Sequence, residues 1–155
     1  MIDKKTFKKA IAVPLEKAGL VKKGQSWYLN GTDALVVVNL EKLDIFSGDQ
    51  YAINIGIWLK ALGETTYPPY NNCHLYYRAE RLFPQQRELI LIACSLEKSN
   101  ISRLADLTDF IEGKLIPFLN ECTDHSKLKA FLSNGILDSG LVKIEARRFL
   151  SEEED

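Results

Sequence analysis

The stretch ALVVVNLEKLDIFSGDQYAINIGIWL, residues 34–59, decides the fold. Leu35, Val36, Val37 and Val38 run without a polar break, the pattern of a strand covered on both faces. Tyr51, Ile53, Ile55, Ile57 and Leu59 instead alternate with Ala52, Asn54, Gly56 and Trp58. The second strand therefore has two unlike faces, one of large apolar groups and one that mixes a carboxamide, a glycine and an indole. Ser47-Gly48-Asp49 supplies turn residues between the two strands, so antiparallel pairing follows.

Upstream, residues 20–23 and 26–30 predict two short strands joined at Gly24-Gln25. Asn30-Gly31 offers a second tight turn, which is also how the sequon-like Asn30-Gly31-Thr32 is best read. Residues 3–18 predict a helix with Phe7, Ala10, Ile11, Pro14, Leu15 and Ala18 in one stripe and Lys4, Lys5, Lys8 and Lys9 outside it. Pro14, which has no N–H, predicts a kink or a division into two pieces, and Gly19 a left-handed stop.

Downstream, residues 60–72 (KALGETTYPPYNN) form a long connection expected to act as a rim or lid. Its Tyr67-Pro68-Pro69-Tyr70 reads as a stiffened loop or as a short extended ligand for a proline-recognition module. Residues 74–83 predict a fifth strand, with His74, Tyr76, Arg78 and Glu80 on one side; a short helix is the rival reading. From Gln85 the period turns helical: Leu89, Ile92, Ala93 and Leu96, then Ile101, Leu104, Leu107, Ile111, Leu115, Phe118 and Leu119 behind a cap near Ser99-Asn100. A further helix capped by Thr123 or Asp124 carries Leu128, Phe131 and Leu132 up to Asn134-Gly135, and a last one covers residues 139–150. Strands gather early and helices late, which predicts an α+β fold: an N-terminal helix, a four- to five-stranded antiparallel meander, and C-terminal helices on the sheet. The first helix and the helical half are expected on opposite sheet faces.

At 155 residues, 46% hydrophobic and 26% charged, the chain predicts one domain over residues 1–150 with a frayed acidic tail at 151–155. Such a domain needs no disulfide or metal for stability. Residues 1–30 hold seven lysines against Asp3 and Glu16, +5, and the other 125 residues sum to −6. A total of −1 argues against a dedicated nucleic-acid binder, and no run of apolar residues resembles a secretory signal or a membrane span. A cytoplasmic location is expected, with Cys73, Cys94 and Cys122 as reduced thiols.

Chemistry-bearing patterns are sparse. Cys122-x-x-His125, completed by Cys73, His74 or Cys94, has metal-ligand spacing, yet Thr123-Asp124 within it read as a helix junction. Cys73 and His74, as strand neighbours, point to opposite faces and cannot share a proton, and Cys94 reads as a small buried hydrophobe. Asp106 with Asp109 and Glu41 with Asp44 have surface-like neighbours and nothing to split their pKa values. Walker A, dinucleotide-glycine and nucleophile-elbow signatures are absent, and no cofactor or metal is called for. What remains is the sheet face of Asn54, Gly56 and Trp58, aligned with Leu35, Val37, Asn39 and Glu41 and, further out, His74 and Arg78. This is either a recognition patch or a set of carboxamides, Asn39 and Asn54, that satisfy buried backbone.

Gly19 to Gly24, Val38-Asn39-Leu40-Glu41-Lys42, Ile53-Asn54-Ile55-Gly56 and the distal His74, Arg78 and Arg81-Leu82 stand in the order and spacing of an uncharacterised bacterial family. Over residues 4–120 the chain resembles DUF4304, with Asn54-x-Gly56 and the preceding Asn39 the most specific part. At position 41 the resemblance implies glutamine in many relatives, where this chain has Glu41. It implies an α+β cytosolic bacterial protein with no activity to carry across, some relatives being immunity-like by gene context.

Two readings follow. The first is a non-enzymatic protein-binding module, an immunity-like inhibitor of a toxin, that docks through the exposed patch and the 60–72 loop. The second is a small-ligand or enzymatic site around Asn54, Trp58, His74 and Arg78, where Arg78 holds an anion and His74 exchanges a proton near neutral pH. The candidate binding residues are Asn39, Asn54, Trp58, His74 and Arg78. The second reading requires convergence on one concave pocket.

Overall fold

The computed structural model describes residues 1–44 and 48–152. Helix α1 (Lys4–Lys17) starts at Asp3, whose carboxylate accepts from the Thr6 N–H at 2.8 Å and from the Thr6 hydroxyl at 2.9 Å. It ends in a Schellman turn: Gly19, at φ +93°, donates to the Glu16 carbonyl and Leu20 to the Leu15 carbonyl. Pro14 does not divide the helix. The Ala10 carbonyl that it leaves without an N–H partner accepts the Thr108 hydroxyl at 3.0 Å, a bond supplied from the opposing helix.

Among the described residues the sheet has six strands, one more than the expected upper number: β1 (Val21–Lys23), β2 (Ser26–Asn30), β3 (Ala34–Leu43), β4 (Gln50–Leu59), β5 (Leu75–Arg78) and β6 (Leu141–Val142). They lie side by side in chain order, each antiparallel to the next. β3 and β4 pair over ten residues from Ala34↔Leu59 to Leu43↔Gln50. Of the expected Ser47-Gly48-Asp49 turn, Ser47 lies outside the described residues and Gly48 takes a positive φ of +83°. Gly31 takes no positive φ; a Cβ there would stand 2.1 Å from Thr123 Cβ, so glycine is required by close approach and not by turn chemistry.

Two expected boundaries change. Residues 74–83 do not form one strand, because Ala-Glu-Arg-Leu at 79–82 are all strong helix formers and make helix α2 (Ala79–Leu82) directly after β5. Residues 139–150 do not form one helix. A 3₁₀ turn (Ile136–Ser139) and Gly140 lead into β6, and helix α7 (Ile144–Ser151) follows. Gly140 lies so close to β5 that a Cβ would be 2.3 Å from the Tyr77 ring and 2.5 Å from the Tyr76 carbonyl. Residues 153–155 of the expected tail lie outside the described residues.

The remaining helices are α3 (Arg87–Ala93), α4 (Ile101–Phe110), α5 (Ile116–Glu121) and α6 (His125–Ser133). Asn100 caps α4 and Asp124 caps α6, each accepting from the N–H three residues on. A π-helical turn (Ile111–Leu115) joins α4 to α5, with Ile116 donating to the Ile111 carbonyl just before Pro117, which has no N–H to give. Ile101, expected in the buried stripe, is 68% exposed, and the stripe begins at Leu104.

Contrary to the expectation of opposite faces, α1 and the C-terminal helices cover the same one. Phe7, Ile11 and Leu15 share a single core with Val36, Val38, Leu40, Ile53, Ile55 and Ile57 and with Leu104, Leu107, Ile111, Leu115, Leu119 and Leu128. The second face packs separately, with Tyr28, Leu35, Val37 and Cys73 buried against Trp58 and Tyr70. Its cover is the connection after β4. A Cβ on Gly56 would lie 2.8 Å from Cys73 Sγ and 2.9 Å from the Tyr70 carbonyl, so glycine lets the 3₁₀ turn at Tyr70–Asn72 lie directly against that face. Cys73, Cys94 and Cys122 are free and buried. Among the described residues, no helix is long and apolar enough to cross a membrane.

Candidate functional site

The pleat of β3, β4 and β5 sets the second face in rows: Asn39, Asn54 and Arg78 in one, Val37, Gly56 and Tyr76 in the next, then Leu35 with Trp58. Asn54 is 2% exposed, and its amide nitrogen donates to Asn39 Oδ1 at 3.2 Å and Glu41 Oε1 at 3.0 Å. Asn39 in turn donates to Ser26 Oγ at 3.0 Å and, more weakly, to the Gln25 carbonyl at 3.4 Å. Tyr70 reaches down from the covering loop and donates to the same Glu41 oxygen at 3.4 Å, and Arg78 pairs with it at 3.9 Å. Glu41 Oε1 is thus the point on which an amide, a phenol and a guanidinium converge. Burial, and then the Glu41 charge, hold the Tyr70 phenol above its ordinary pKa, so it stays a donor.

Trp58 and His74 form a second, separate arrangement. Their rings lie 4.4 Å apart, and the indole N–H donates to the Gly63 carbonyl at 2.9 Å, pinning the start of the loop. His74 is 4% exposed, and its Nδ1 accepts the Leu59 N–H at 2.9 Å, extending the ladder where β5 has not yet begun. Burial pushes the imidazole pKa down, which keeps that nitrogen an acceptor. Arg78 stands four residues further along the chain, about 13 Å away at strand rise.

The candidate residues therefore divide. Asn39, Asn54 and Arg78 meet around Glu41, while Trp58 and His74 anchor the cover. Asn54 and Arg78 line an open depression of ≈ 510 Å³ together with Tyr70, Tyr76, Arg81 and Leu141, whereas Trp58 lines a different one beside Glu64 and Thr65. The single pocket of Asn54, Trp58, His74 and Arg78 is not what the chain builds.

Glu41, Tyr70, Tyr76 and Arg81 were the residues missing from the candidate set. Tyr76 shares parity with Arg78, and Glu41 with Asn39, so period-two spacing carried a signal for both. Tyr70 had none, since it is placed by the course of a loop. The neighbouring Tyr67-Pro68-Pro69 segment is engaged within the chain: the buried Tyr28 hydroxyl donates to the Pro68 carbonyl at 2.9 Å, and the Tyr28 and Tyr67 rings meet at 5.2 Å.

A larger depression of ≈ 720 Å³ lies beside the start of α6, lined by Asp33, Lys60, Asp124, His125 and Phe149 among others. Two of its carboxylates already serve the helix: Asp33 accepts from the His125 N–H at 2.9 Å and Asp124 from the Lys127 N–H at 3.2 Å. Cys122 is buried inside, with its thiol pushed upward by desolvation. Among the described residues no three His, Cys, Asp or Glu side chains lie close enough together to hold a metal ion.

A family model described as a domain of unknown function, DUF4304, matches residues 11–121. The chain belongs to the DUF4304 family. Comparison with curated proteins and with solved structures returns no match. The DUF4304 region holds Asn39, Glu41, Asn54, Tyr70, Tyr76, Arg78 and Arg81, while the wall of the depression formed by Asp138, Ser139, Gly140 and Leu141 comes from the chain beyond it.

Proposed function

We propose that this DUF4304 protein is a non-enzymatic binding module that docks a protein partner through the Tyr70–Tyr76–Arg78 depression, in the manner of an immunity-like inhibitor on a toxin. One observation carries the reading: three tyrosines, of which Tyr77 is buried, two arginines and a leucine that is 42% exposed border one open depression beside a polar network in which Asn54 is buried and Glu41 half-buried. Tyrosine and arginine dominate the residues that anchor protein partners, because each combines a large apolar body with a polar tip. Tyr76 stands on strand β5, and the Glu41 carboxylate engages the Tyr70 phenol from the covering loop, so these two aromatic anchors lose little side-chain freedom on docking. A small-ligand reading keeps Asn54 and Arg78 but loses the proton-exchanging role of His74, whose Nδ1 lone pair is occupied by Leu59.

The test is capture from a native lysate on the full chain, compared with Tyr76→Ala and Arg78→Ala chains of matched melting temperature, followed by co-expression with the product of the adjacent gene. Expected is a defined protein retained by the parent and lost from both variants, and a neighbour whose toxicity the parent relieves. A partner that binds both variants as tightly as the parent, or a harmless neighbour and no partner, would count decisively against the role.

A further inference from the structure

We infer, resting on that binding role, that the depression takes a carboxylate side chain of the partner, an aspartate or glutamate, on the guanidinium groups of Arg78 and Arg81. Arg78 is only loosely held. It touches Glu41 at one oxygen, 3.9 Å away, with more than a third of each side chain in solvent, a pair that contributes little. Arg81 has no hydrogen bond or ion pair among the described residues, so the fork-shaped donor sets of both side chains stay largely unspent.

Glu41 does not depend on Arg78, because Asn54 and Tyr70 already donate to the same oxygen at 3.0 and 3.4 Å. Arg78 can turn from Glu41 to an incoming carboxylate without leaving a carboxylate oxygen unpaired behind it. Asp138, the other acid of the depression, pairs with Arg147 at 3.3 Å on its far side. The uncommitted charge is therefore positive and planar.

A carboxylate fits this better than a phosphate does. Both anions can bond a guanidinium fork through two oxygens, but the carboxylate, as a monoanion, is repelled by Glu41 about half as strongly as a phosphate carrying roughly two charges. Tyr70 and Tyr76, edge to face at 6.0 Å, together with Leu141, give the apolar stem of the acidic side chain a wall to lie on.

The experiment titrates the isotopically labelled full chain with three probes: acetyl-Gly-Glu-Tyr-Glu-Gly-amide, its counterpart with glutamine in place of both glutamates, and inorganic phosphate. The Nε–H resonances of Arg78 and Arg81 are followed. Expected are saturable shifts with the glutamate peptide, binding about tenfold weaker for the glutamine peptide and for Arg78→Lys, and binding about threefold tighter in Glu41→Gln, which keeps the Asn54 acceptor but removes the competing charge. Equal response to the two peptides, no saturable shift with either, tighter binding of phosphate than of the glutamate peptide, or an unaffected Arg78→Lys overturns the inference. If the captured partner still depends on Tyr76 and Arg78 while the peptides show no preference for acid, only the carboxylate is wrong. If capture is indifferent to both residues, the binding role itself fails.

Discussion

The face of β4 that carries Ile53, Ile55 and Ile57 meets helices, and the face that carries Asn54, Gly56 and Trp58 meets a single connection that makes a 3₁₀ turn at Tyr70–Asn72. The first buries large aliphatic groups against α1 and α4 through α6, so its stability is spread over many interchangeable contacts. The second is thin and partly polar, held by a few directed bonds from Tyr28, Trp58 and Tyr70 to the loop or the sheet. One sheet can thus be a core on one side and a mounting plate on the other, because the period-two pleat lets the two sides be composed independently.

That contrast gives an order of effects. Ile55→Ala removes a fully buried side chain from the helical face and is expected to cost about 2–5 kcal/mol in urea denaturation; a loss below about 1 kcal/mol would mean that the face is not the core. Gly56→Ala forces the Tyr70 carbonyl and Cys73 outward on the loop face, at about 1–3 kcal/mol, with faster protease cleavage inside residues 63–73 as the local readout. Thr108→Val keeps its shape while leaving the Ala10 carbonyl unpaired, and should lose about 1 kcal/mol; if stability is unchanged, water serves that carbonyl equally well.

The fourth effect depends on pH. The His74 pKa is lowered in the folded state, so below the unfolded value of 6.5 the unfolded chain binds more protons. The His74 contribution is complete above pH 6.5 and is lost as pH falls through the depressed folded value. His74→Asn keeps an acceptor oriented toward Leu59 and should flatten the loss of stability as pH falls below 6.5; identical pH profiles for the two proteins would refute the assignment. Smallest of all is Arg78→Ala, expected to change folding by under about 1 kcal/mol while abolishing partner capture, the sharpest separation of mounting plate from core.

The sheet was readable from residues 34–59 because alternation in Tyr51, Ile53, Ile55, Ile57 and Leu59 admits one periodicity, and the cap residues Asn100 and Asp124 announced their helices by side-chain chemistry. Long-range events were not readable. Pro14 stays in a continuous helix because Thr108, remote in sequence, repairs the bond it breaks, and β6 exists because Gly140 can lie against Tyr76. The site was legible as far as parity carried it: Asn39, Asn54 and Arg78 share a row, whereas the inclusion of Tyr70 and the reassignment of His74 to backbone pairing came from the path of the loop.

Running the strands in chain order places the ten-residue β3 and β4 innermost and leaves the sheet bounded by Val21–Lys23 on one side and Leu141–Val142 on the other. The valine- and isoleucine-rich middles of these two strands, Leu35–Asn39 and Asn54–Ile57, are thereby paired to their own neighbours. What the borders offer instead is a three-residue strip bearing two lysines and a two-residue strip, each too short for a second chain to zip against, so the aggregation hazard inherent in a valine- and isoleucine-rich ribbon is kept inside the molecule.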